Sequence, residues 1–456
     1  MRKVVFVALM AVVMFSSCSI HKSVVQPQLN LPKQLVDDVE QDSLCVADLS
    51  WMELFDDPIL IDLIDRTLQH NRDMMVASVR IVEYEKRYRV ARSDFFPNVS
   101  AEAYADRETN DGFGDNATVS PENAAKLIFG WEADLFGRLR WANRQAKANY
   151  LKTIEARRAL QMTLIADVAT AYFELVALDT ELQIVTNTLD TRRENVRQAK
   201  LRFEGGLTSE IPYQQAQVEL ARTASLVPDL KLKIKMKENE ISYLAGGYPA
   251  AVKRKSSHLS FKNKDILKVG LPSDLVERRP DVREAELAFK AAMASAGVQW
   301  ANRFPRFVLE FEFGLEHDAF AGFFTAPLTY LLAELTSPVF AFGKRKAQYE
   351  AALAACEAKC YEYEEKVLLA FREVSNAMAA YRSAVENTRL MDDLMKSSQK
   401  YVSLAMVQHM NGHVNYLAVL DAQRSYFNAE IERSNAIRDQ YLALIELYKA
   451  LGGGWK

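Results

Sequence analysis

Carboxylates recur at alternate positions in two segments of the chain that otherwise contain apolar residues. They are Glu310, Glu312 and Glu316 in the second half of the chain, and Glu132 and Asp134 in the first half. A pair of carboxylates can act as the acid and the base of a glycoside hydrolase. The regular two-residue period instead predicts strands with one acidic face, because alternate side chains of a strand share a face.

Two groups of side chains carry the atoms that soft metal ions prefer. They are His409, Met410 and His413 in one group, and Cys356 and Cys360 in the other. Gly412 is expected to end a helix between the two histidines, so that they do not share a helical face. The cysteines have no further ligands at a suitable spacing, and their spacing on a helix seldom gives a disulfide. We therefore predict no metal site and interpret the cysteines as helix-packing residues.

The first 18 residues have the layout of a secretory signal. A short basic stretch precedes a 12-residue apolar run that ends at Phe15, too short for a membrane-spanning helix. Small residues then lead to Cys18, an arrangement that resembles the lipobox of bacterial lipoproteins. Ser19 follows where an aspartate would retain the protein in the inner membrane, which implies sorting to the outer membrane. We predict a signal peptide at 1–17, acylation of Cys18 and a lipid-anchored arm at 18–57, with a plain signal peptide as the alternative.

Composition argues against several functional classes. The chain has 57 Lys and Arg against 60 Asp and Glu, a net charge of −3 that gives no basic excess for nucleic acid. After the signal we find no apolar run close to the ~20 residues of a membrane helix, so any crossing must use strands. We find no nucleophile elbow, phosphate loop or His-Glu-His spacing. The sequence therefore predicts a protein that is not an enzyme and that needs no cofactor.

The chain contains an internal duplication. The repeated residues include Asp73 and Asp281, Phe96-Pro97 and Phe304-Pro305, Phe136-Gly137 and Phe342-Gly343, Gly206 and Gly412, and Gly246-Gly247 and Gly452-Gly453. The offset between the copies is 208 residues for the first two pairs and 206 for the others. So small a change in offset favours a tandem duplication over chance similarity.

Each copy has the same order of predicted elements, and the fold class is mixed α and β. Repeat 1, at 58–247, has a helix at about 58–93, a strand pair within 98–136, a long helix at 138–204, a tight turn and a helix at 209–245. Repeat 2, at 271–453, follows a connector at 248–270 and has the equivalent elements at about 281–302, 306–342, 344–411 and 414–451. Apolar residues from Leu164 to Leu189 alternate steps of four and three, which predicts coiled-coil packing of the long helix.

The strand pairs predict an oligomer. Two pairs supply four strands, which cannot close, and open sheet edges are not tolerated in lipid. Two copies would give eight strands, whose interior is filled by side chains. Three copies would give twelve strands around an aqueous lumen, so we predict a trimeric 12-strand transmembrane β-barrel lined by the acidic strand faces. A soluble half-buried hairpin is the alternative.

Three motifs resemble the TolC-like outer-membrane factors. They are Trp51-x-x-Leu54-Phe55-x-Asp57, Leu271-Pro272-Ser273-Asp274-Leu275 with Arg278-Arg279-Pro280-Asp281-Val282-Arg283, and Asn415-Tyr416-Leu417-x-x-Leu420-Asp421-Ala422-Gln423-Arg424. The resemblance covers nearly all of the chain after the signal, and the lipid cysteine points to the lipoprotein branch that serves RND-type efflux pumps. It implies a homotrimer whose barrel continues as a long periplasmic α-helical barrel. It also implies two partners, a periplasmic adaptor protein and an inner-membrane RND transporter.

The resemblance also implies functional positions at the periplasmic end. Leu417 would form an apolar plug, and Asp421 would form a ring of three mutually repelling carboxylates one helical turn deeper. A pairing of Asp421 with Arg424 on a solvated face is the alternative. The adaptor-docking tip is matched by Gly206, Leu207 and Thr208 in repeat 1 and, less closely, by Gly412 in repeat 2.

Together these features predict an outer-membrane efflux channel lipoprotein with a large periplasmic portion. It would be the exit duct of a tripartite pump that exports small molecules, gated at its periplasmic tip. Two alternatives remain: a conduit for type I protein secretion, and a lipid-anchored periplasmic coiled-coil scaffold that has no pore.

Overall fold

The structure is a computed structural model that describes residues 27–29, 31–32, 46–55, 57–110, 118–254, 272–317, 320–336 and 341–455. Its internal contacts divide the chain into two units. The strand unit includes Val79–Glu155 and Glu284–Lys366, and it contains all four strands. The helical unit consists of Asn30–Ser78, Ala156–Arg283 and Val367–Lys456.

The elements follow the same order in both copies. Helix α1 (Trp51–Leu54) precedes the first copy, which has helices α2 (Pro58–His70) and α3 (Arg72–Ser93), strands β1 (Asn98–Asn110) and β2 (Thr118–Ala133), and helices α4 (Arg138–Glu204) and α5 (Ile211–Leu244). The second copy has helices α6 (Pro272–Arg278) and α7 (Pro280–Ala301), strands β3 (Arg306–His317) and β4 (Pro327–Thr336), and helices α8 (Lys344–Met410) and α9 (Tyr416–Ala450). Short 3-10 turns lie at Val46–Asp48 and Phe320–Thr325. The long helices α4 and α8 have 67 residues each.

The first helix of each copy is interrupted, which corrects the continuous helix predicted over 58–93. Asn71 lies between α2 and α3 with an extended backbone. Its side-chain oxygen accepts a hydrogen bond from the backbone N–H of Asp73 at 2.9 Å and therefore caps α3. In the second copy Arg279 lies between α6 and α7, so that a short helix precedes the predicted one.

Each interruption binds the end of the shorter helix that closes the same copy. The Nδ2 of Asn71 donates to the carbonyl of Leu244 at 2.9 Å. The Nη1 of Arg279 donates to the carbonyl of Ala450 at 3.0 Å. The offsets of 208 and 206 residues convert the first pair into the second, so the duplication extends to single hydrogen bonds. Gly246 completes the first junction, where a Cβ would lie 2.2 Å from a backbone oxygen of α2.

Replacement of Asn71 by alanine is expected to lower the free energy of unfolding by about 1–3 kcal/mol. Asn71 is only 4 % exposed, and alanine would leave the Leu244 carbonyl without its donor and α3 without its cap. Denaturant unfolding of the protein in detergent, followed by the helical circular dichroism signal, measures this loss. Asn187→Ala on an exposed position of α4 is the matched control. Equal stability of the two variants would contradict the prediction.

The four strands form one antiparallel sheet in the order β1-β2-β3-β4. Asn98 lies opposite Gly130 in the first hairpin, and Arg306 lies opposite Thr336 in the second. The two repeat offsets convert one pairing into the other, so both hairpins have the same register. The copies are joined through β2 and β3, where Ala133 lies opposite Phe307.

One face of this sheet is apolar and the other is charged. The exposed apolar residues of the central strands share one parity: Leu127, Phe129, Trp131, Phe311 and Phe313. Phe129 and Phe311 lie directly opposite each other, with ring centroids 5.9 Å apart. The even-numbered positions carry Lys126, Glu310, Glu312 and Glu316 on the other face.

The long helices are held by regular seams. Buried residues of α4 follow the heptad and include Leu164, Val168, Ala171, Leu175, Val185 and Leu189. The seam of α8 uses smaller residues and includes Ala370, Val374, Ala377 and Tyr381. Within the described residues, one 18-residue window of α4 is apolar enough to cross a membrane, but 61 % of it is buried inside the protein. Helix packing accounts for this apolar stretch.

Candidate functional site

Two tight turns end the long helices. Gly206 follows α4 with a φ of 69°, and Gly412 follows α8 with a φ of 76°. In each turn the next residue, Leu207 or His413, donates its N–H at 2.9 Å to a carbonyl five residues earlier, as in a Schellman motif. The Leu207 side chain is 78 % exposed, so the first turn presents an apolar side chain to its surroundings.

Leu417 and Asp421 lie one turn apart on α9, beside an open groove of about 950 Å³ that α5 and α9 line. We call this the tip groove. Asn415 fixes the start of α9, because its side chain accepts from the N–H of Ala418 at 3.2 Å. Leu417 is 51 % exposed, and Asp421 is exposed as well. The Tyr401 hydroxyl donates to Asp421 at 3.4 Å, a long and therefore weak hydrogen bond.

A buried carboxylate, Glu219 of α5, joins three helices next to the tip groove. It accepts a hydrogen bond from Arg424 of α9 at 2.7 Å. It also lies 3.7 Å from Arg192 of α4, and 3.9 Å from Arg222 on its own helix. The side chains of Glu219 and Arg192 are only 8 % and 3 % exposed. We call these four residues the Glu219 network, and Glu219 is the carboxylate on which its three guanidinium groups converge.

Arg192 is incompletely compensated within this network. Burial lowers the pKa of Arg192, and the opposite charge of Glu219 only partly restores it. Its Nε and Nη1 atoms have no hydrogen-bond partner within the described chain, and the same is true of the nearby Tyr416 hydroxyl. Buried polar groups without partners are costly, so the packing of these helices depends strongly on Glu219.

His409, one of the two histidines at the second turn, is engaged by protein atoms. The Nδ1 of His409 lies 3.1 Å from the carbonyl of Val414, and its Nε2 lies 3.3 Å from a guanidinium nitrogen of Arg202. The first contact requires the ring to donate from Nδ1, which leaves Nε2 to accept from Arg202. Both ring nitrogens therefore brace the turns.

A lysine divides the charged face of the sheet. The Nζ of Lys126 lies 3.0 Å from Glu312 and 4.0 Å from Glu102, on the strands to either side of β2. Only 14 % of the Lys126 side chain and 13 % of the Glu312 side chain are exposed. Glu312 is therefore partly neutralised, while Glu310 and Glu316 share its face.

The comparisons with known proteins agree with this geometry. The sequence model of the family described as outer membrane efflux protein matches residues 63–247 and 271–453, one match for each copy. The chain belongs to the outer membrane efflux protein family. The predicted resemblance to the TolC-like outer-membrane factors of RND-type efflux systems is confirmed, and with it an efflux function in the outer membrane.

Relatives of known name or structure cover nearly the whole chain. The chain is 32 % identical over 419 residues to the probable efflux pump outer membrane protein TtgC of Pseudomonas putida, which is 90 % of this chain and 86 % of that protein. It resembles the structure of the outer-membrane channel OprN with a TM-score of 0.85 and 27 % identity, over 94 % of this chain and 99 % of the other. It resembles the open state of the MtrE channel of Neisseria gonorrhoeae with a TM-score of 0.82 and 28 % identity, over 95 % and 97 %.

Two carboxylates predicted to line the lumen of this outer membrane efflux protein serve the start of α4. β2 ends at Ala133, so the assignment of Asp134 to the strand is wrong. Asp134 accepts from the N–H of Leu139 at 3.0 Å and pairs with Arg140, because the N-terminus of a helix attracts a carboxylate. Glu132 binds Arg138 through two hydrogen bonds of 2.8 and 2.7 Å.

The cysteines of the efflux protein fall into two groups. Cys356 and Cys360 are buried on α8 and pack against Phe289 of α7. Burial raises the pKa of the Cys356 thiol to about 11, which disfavours the thiolate that a metal requires. Cys18 and Cys45 lie outside the described residues.

Sequence reasoning missed the Glu219 network and Lys126. A signal for Glu219 was present, because it lies on the buried stripe of α5 that includes Ala216, Thr223 and Leu230. A carboxylate on such a stripe requires a partner from another helix. The partners could not be identified, because Arg192 lies on α4 and Arg424 on α9, and the sequence does not show which residues of these helices face Glu219.

Proposed function

We propose that three copies of this chain form a channel through the outer membrane, with their twelve strands closed into one barrel. The observation that carries this proposal is a four-stranded sheet with an apolar face, a charged face and two outer edges at β1 and β4. Within the described chain neither edge has a strand partner. Closure with other copies satisfies these edges in lipid, and twelve strands leave an aqueous interior.

We propose that the helices continue the channel and that α9 closes it at the tip. Leu417 and Asp421 of the three copies would converge on the axis, with the leucines as an apolar plug and the carboxylates as a repelling ring. The Glu219 network supports this role because it ties α9 to α5 and α4 within each copy. Opening would require these contacts to rearrange.

The remaining parts of the chain have proposed roles at the two ends of the channel. Residues 1–17 would be removed, and acylated Cys18 with the arm at 18–57 would anchor the protein to the outer membrane. The turns would bind a periplasmic adaptor through Gly206, Leu207, Thr208 and Gly412, and the exposure of Leu207 supports such a contact. The adaptor would connect the channel to an inner-membrane RND transporter.

Two alternatives make different predictions. A channel for type I protein secretion would lose a secreted protein from the medium when the gene is deleted, whereas the proposed efflux duct would lose resistance to small toxic compounds. A periplasmic scaffold has no pore, so it would conduct no ions in a planar bilayer. The apolar face of the sheet, on which Phe313 is 54 % exposed, favours the channel over the scaffold, because a barrel in the membrane turns such a face to lipid.

The charged face of the sheet predicts a cation-selective channel. In a potassium chloride gradient across a planar bilayer, we expect a reversal potential of the sign that cation flow produces. Lys126→Gln is expected to increase the cation preference, because it releases Glu312 and Glu102 from their cationic neighbour. Lys346→Gln, which removes an exposed lysine from α8, is the control. Anion-selective conductance would contradict the assignment of this face to the lumen.

A further inference from the structure

Phe342 is an apolar side chain without an evident place in the single chain. Its ring is 102 % exposed, and its φ of 42° lies in the left-handed region that side chains rarely adopt. Its equivalent in the first copy, Phe136, stacks on Phe304 with centroids 4.7 Å apart and ring planes at 12°. The duplication therefore predicts a second stack of the same kind, in which Phe342 has the position that Phe136 has in the first.

The missing partner of Phe342 follows from the repeat offsets. The stack of Phe136 on Phe304 continues the pairing of β2 with β3, since it lies three residues beyond the last opposed pair of those strands. An offset of 208 residues makes Phe96 the equivalent of Phe304. Phe96 is 64 % exposed and precedes β1, whereas Phe342 follows β4. Because β1 and β4 are opposite edges of the sheet, the two rings can meet only between copies.

We infer that Phe342 stacks on Phe96 of the next copy, at the joint of the proposed barrel where β4 of one copy meets β1 of the next in the register of β2 with β3. The inference rests on the proposed trimeric channel and specifies its joints. In this register Leu335 lies opposite Ala103, as Phe129 lies opposite Phe311 within the chain. One further step along the same faces, Ala333 lies opposite Ala105.

The faces of the two edge strands independently support this register. The odd-numbered residues of β4 include Leu331, Ala333 and Leu335, and those of β1 include Val99, Ala101, Ala103 and Ala105. The inferred register places these apolar sets on one face, next to the apolar face of β2 and β3. A slip of one residue would set them against Glu102 and Tyr104, because it exchanges the faces of a strand.

Cysteine cross-linking tests the register. Residues directly opposite each other have Cα atoms roughly 4.5–5.5 Å apart, within the range of a disulfide. The variant with both Ala333→Cys and Ala105→Cys is therefore expected to form covalent trimers on mild oxidation. The variant with Ala333→Cys and Ala103→Cys, displaced by two residues, is expected to form far fewer. Each single substitution controls for the native cysteines.

A second measurement tests the aromatic stack. Phe342→Ala and Phe96→Ala are each expected to lower the temperature at which the trimer dissociates, and the double variant is expected to fall no further than the larger single effect. Phe324→Ala, which removes another exposed ring, serves as the control and is expected to add to Phe342→Ala. Additive losses for Phe342 and Phe96 would overturn the stack.

The outcomes separate this inference from the proposed function. The register would be wrong if the displaced pair formed cross-links efficiently, or if neither pair did, in a protein that is trimeric and conducts ions. The proposed channel would stand in both cases. A monomeric protein that does not conduct would overturn the channel and the register together.

Discussion

Replacement of Arg279 by alanine is expected to destabilise the protein by about 3–5 kcal/mol, because it removes one partner of a buried ion pair. Arg279 is 4 % exposed and donates to Asp281 at 3.0 and 2.7 Å, and to the carbonyl of Ala450 at 3.0 Å. It also lies 2.6 Å from Glu373 of α8. Burial disfavours its charge, but Asp281 and Glu373 outweigh this and raise the pKa of Arg279. Alanine would remove the guanidinium group that binds two carboxylates and a helix end.

The experiment compares Arg279→Ala with a matched substitution. Arg389→Ala removes an arginine that is 64 % exposed and paired with Glu386 on the same helix, and it is expected to change stability by less than about 0.5 kcal/mol. Arg279→Lys is expected to fall between them, because lysine keeps the charge but cannot bind a carboxylate through two parallel hydrogen bonds. Heat or denaturant unfolding in detergent gives the order. Equal stability of the Arg279→Ala and Arg389→Ala proteins would contradict the assignment.

Removal of the Glu219 carboxylate is expected to have the second large effect, on stability and on opening together. Glu219→Gln keeps the shape of the side chain but leaves the charge of Arg192 buried without its opposite charge, at a cost of about 3–5 kcal/mol. It also weakens the contact of α9 with α5 through Arg424. Because Glu219 holds α9 to α5 and α4 at the tip that we propose to close the channel, we expect a larger mean conductance as well as a lower unfolding temperature.

A pair elsewhere on the same helices gives the control for Glu219→Gln. Lys237 of α5 lies 2.7 Å from Glu174 of α4, and Glu174 is 32 % exposed. Glu174→Gln removes an ion pair between the same helices but leaves the tip groove unchanged. It is expected to have little effect on conductance. If both variants conducted like the unsubstituted protein, the Glu219 network would have no role in keeping the channel closed.

The element order could be predicted because two copies of the pattern support each other. Glycines such as Gly206 and Gly412 predict the turns from sequence, because glycine takes a positive φ without steric cost. Both have a positive φ in the structure. The break at Asn71 could not be predicted in this way. Asparagine is compatible with a helix interior, and it ends α2 only because its side chain finds the N–H groups of α3 and the carbonyl of Leu244.

The candidate site was only partly predictable. Leu417 and Asp421 came from the resemblance, and their role at the tip stays a prediction. The alternative that Asp421 pairs with Arg424 is disfavoured, because Arg424 binds Glu219 instead. Asp134 was assigned to the strand because the alternation of apolar and acidic residues continues past Ala133. In the structure β2 ends at Ala133, and the Asp134 carboxylate accepts a hydrogen bond from the start of α4. The residue at which a strand ends depends more on such contacts than on the two-residue alternation of the sequence.

Single-channel recording in planar bilayers tests the account most directly, with the unsubstituted protein compared with Asp421→Ala. The account predicts small and mostly closed currents for the first. It predicts larger and longer openings for the second, because the variant removes three side chains from the ring that we propose to close the tip, together with their weak contact to Tyr401. Absence of conductance in both proteins, although they are folded and inserted, would contradict the channel and favour the lipid-anchored scaffold.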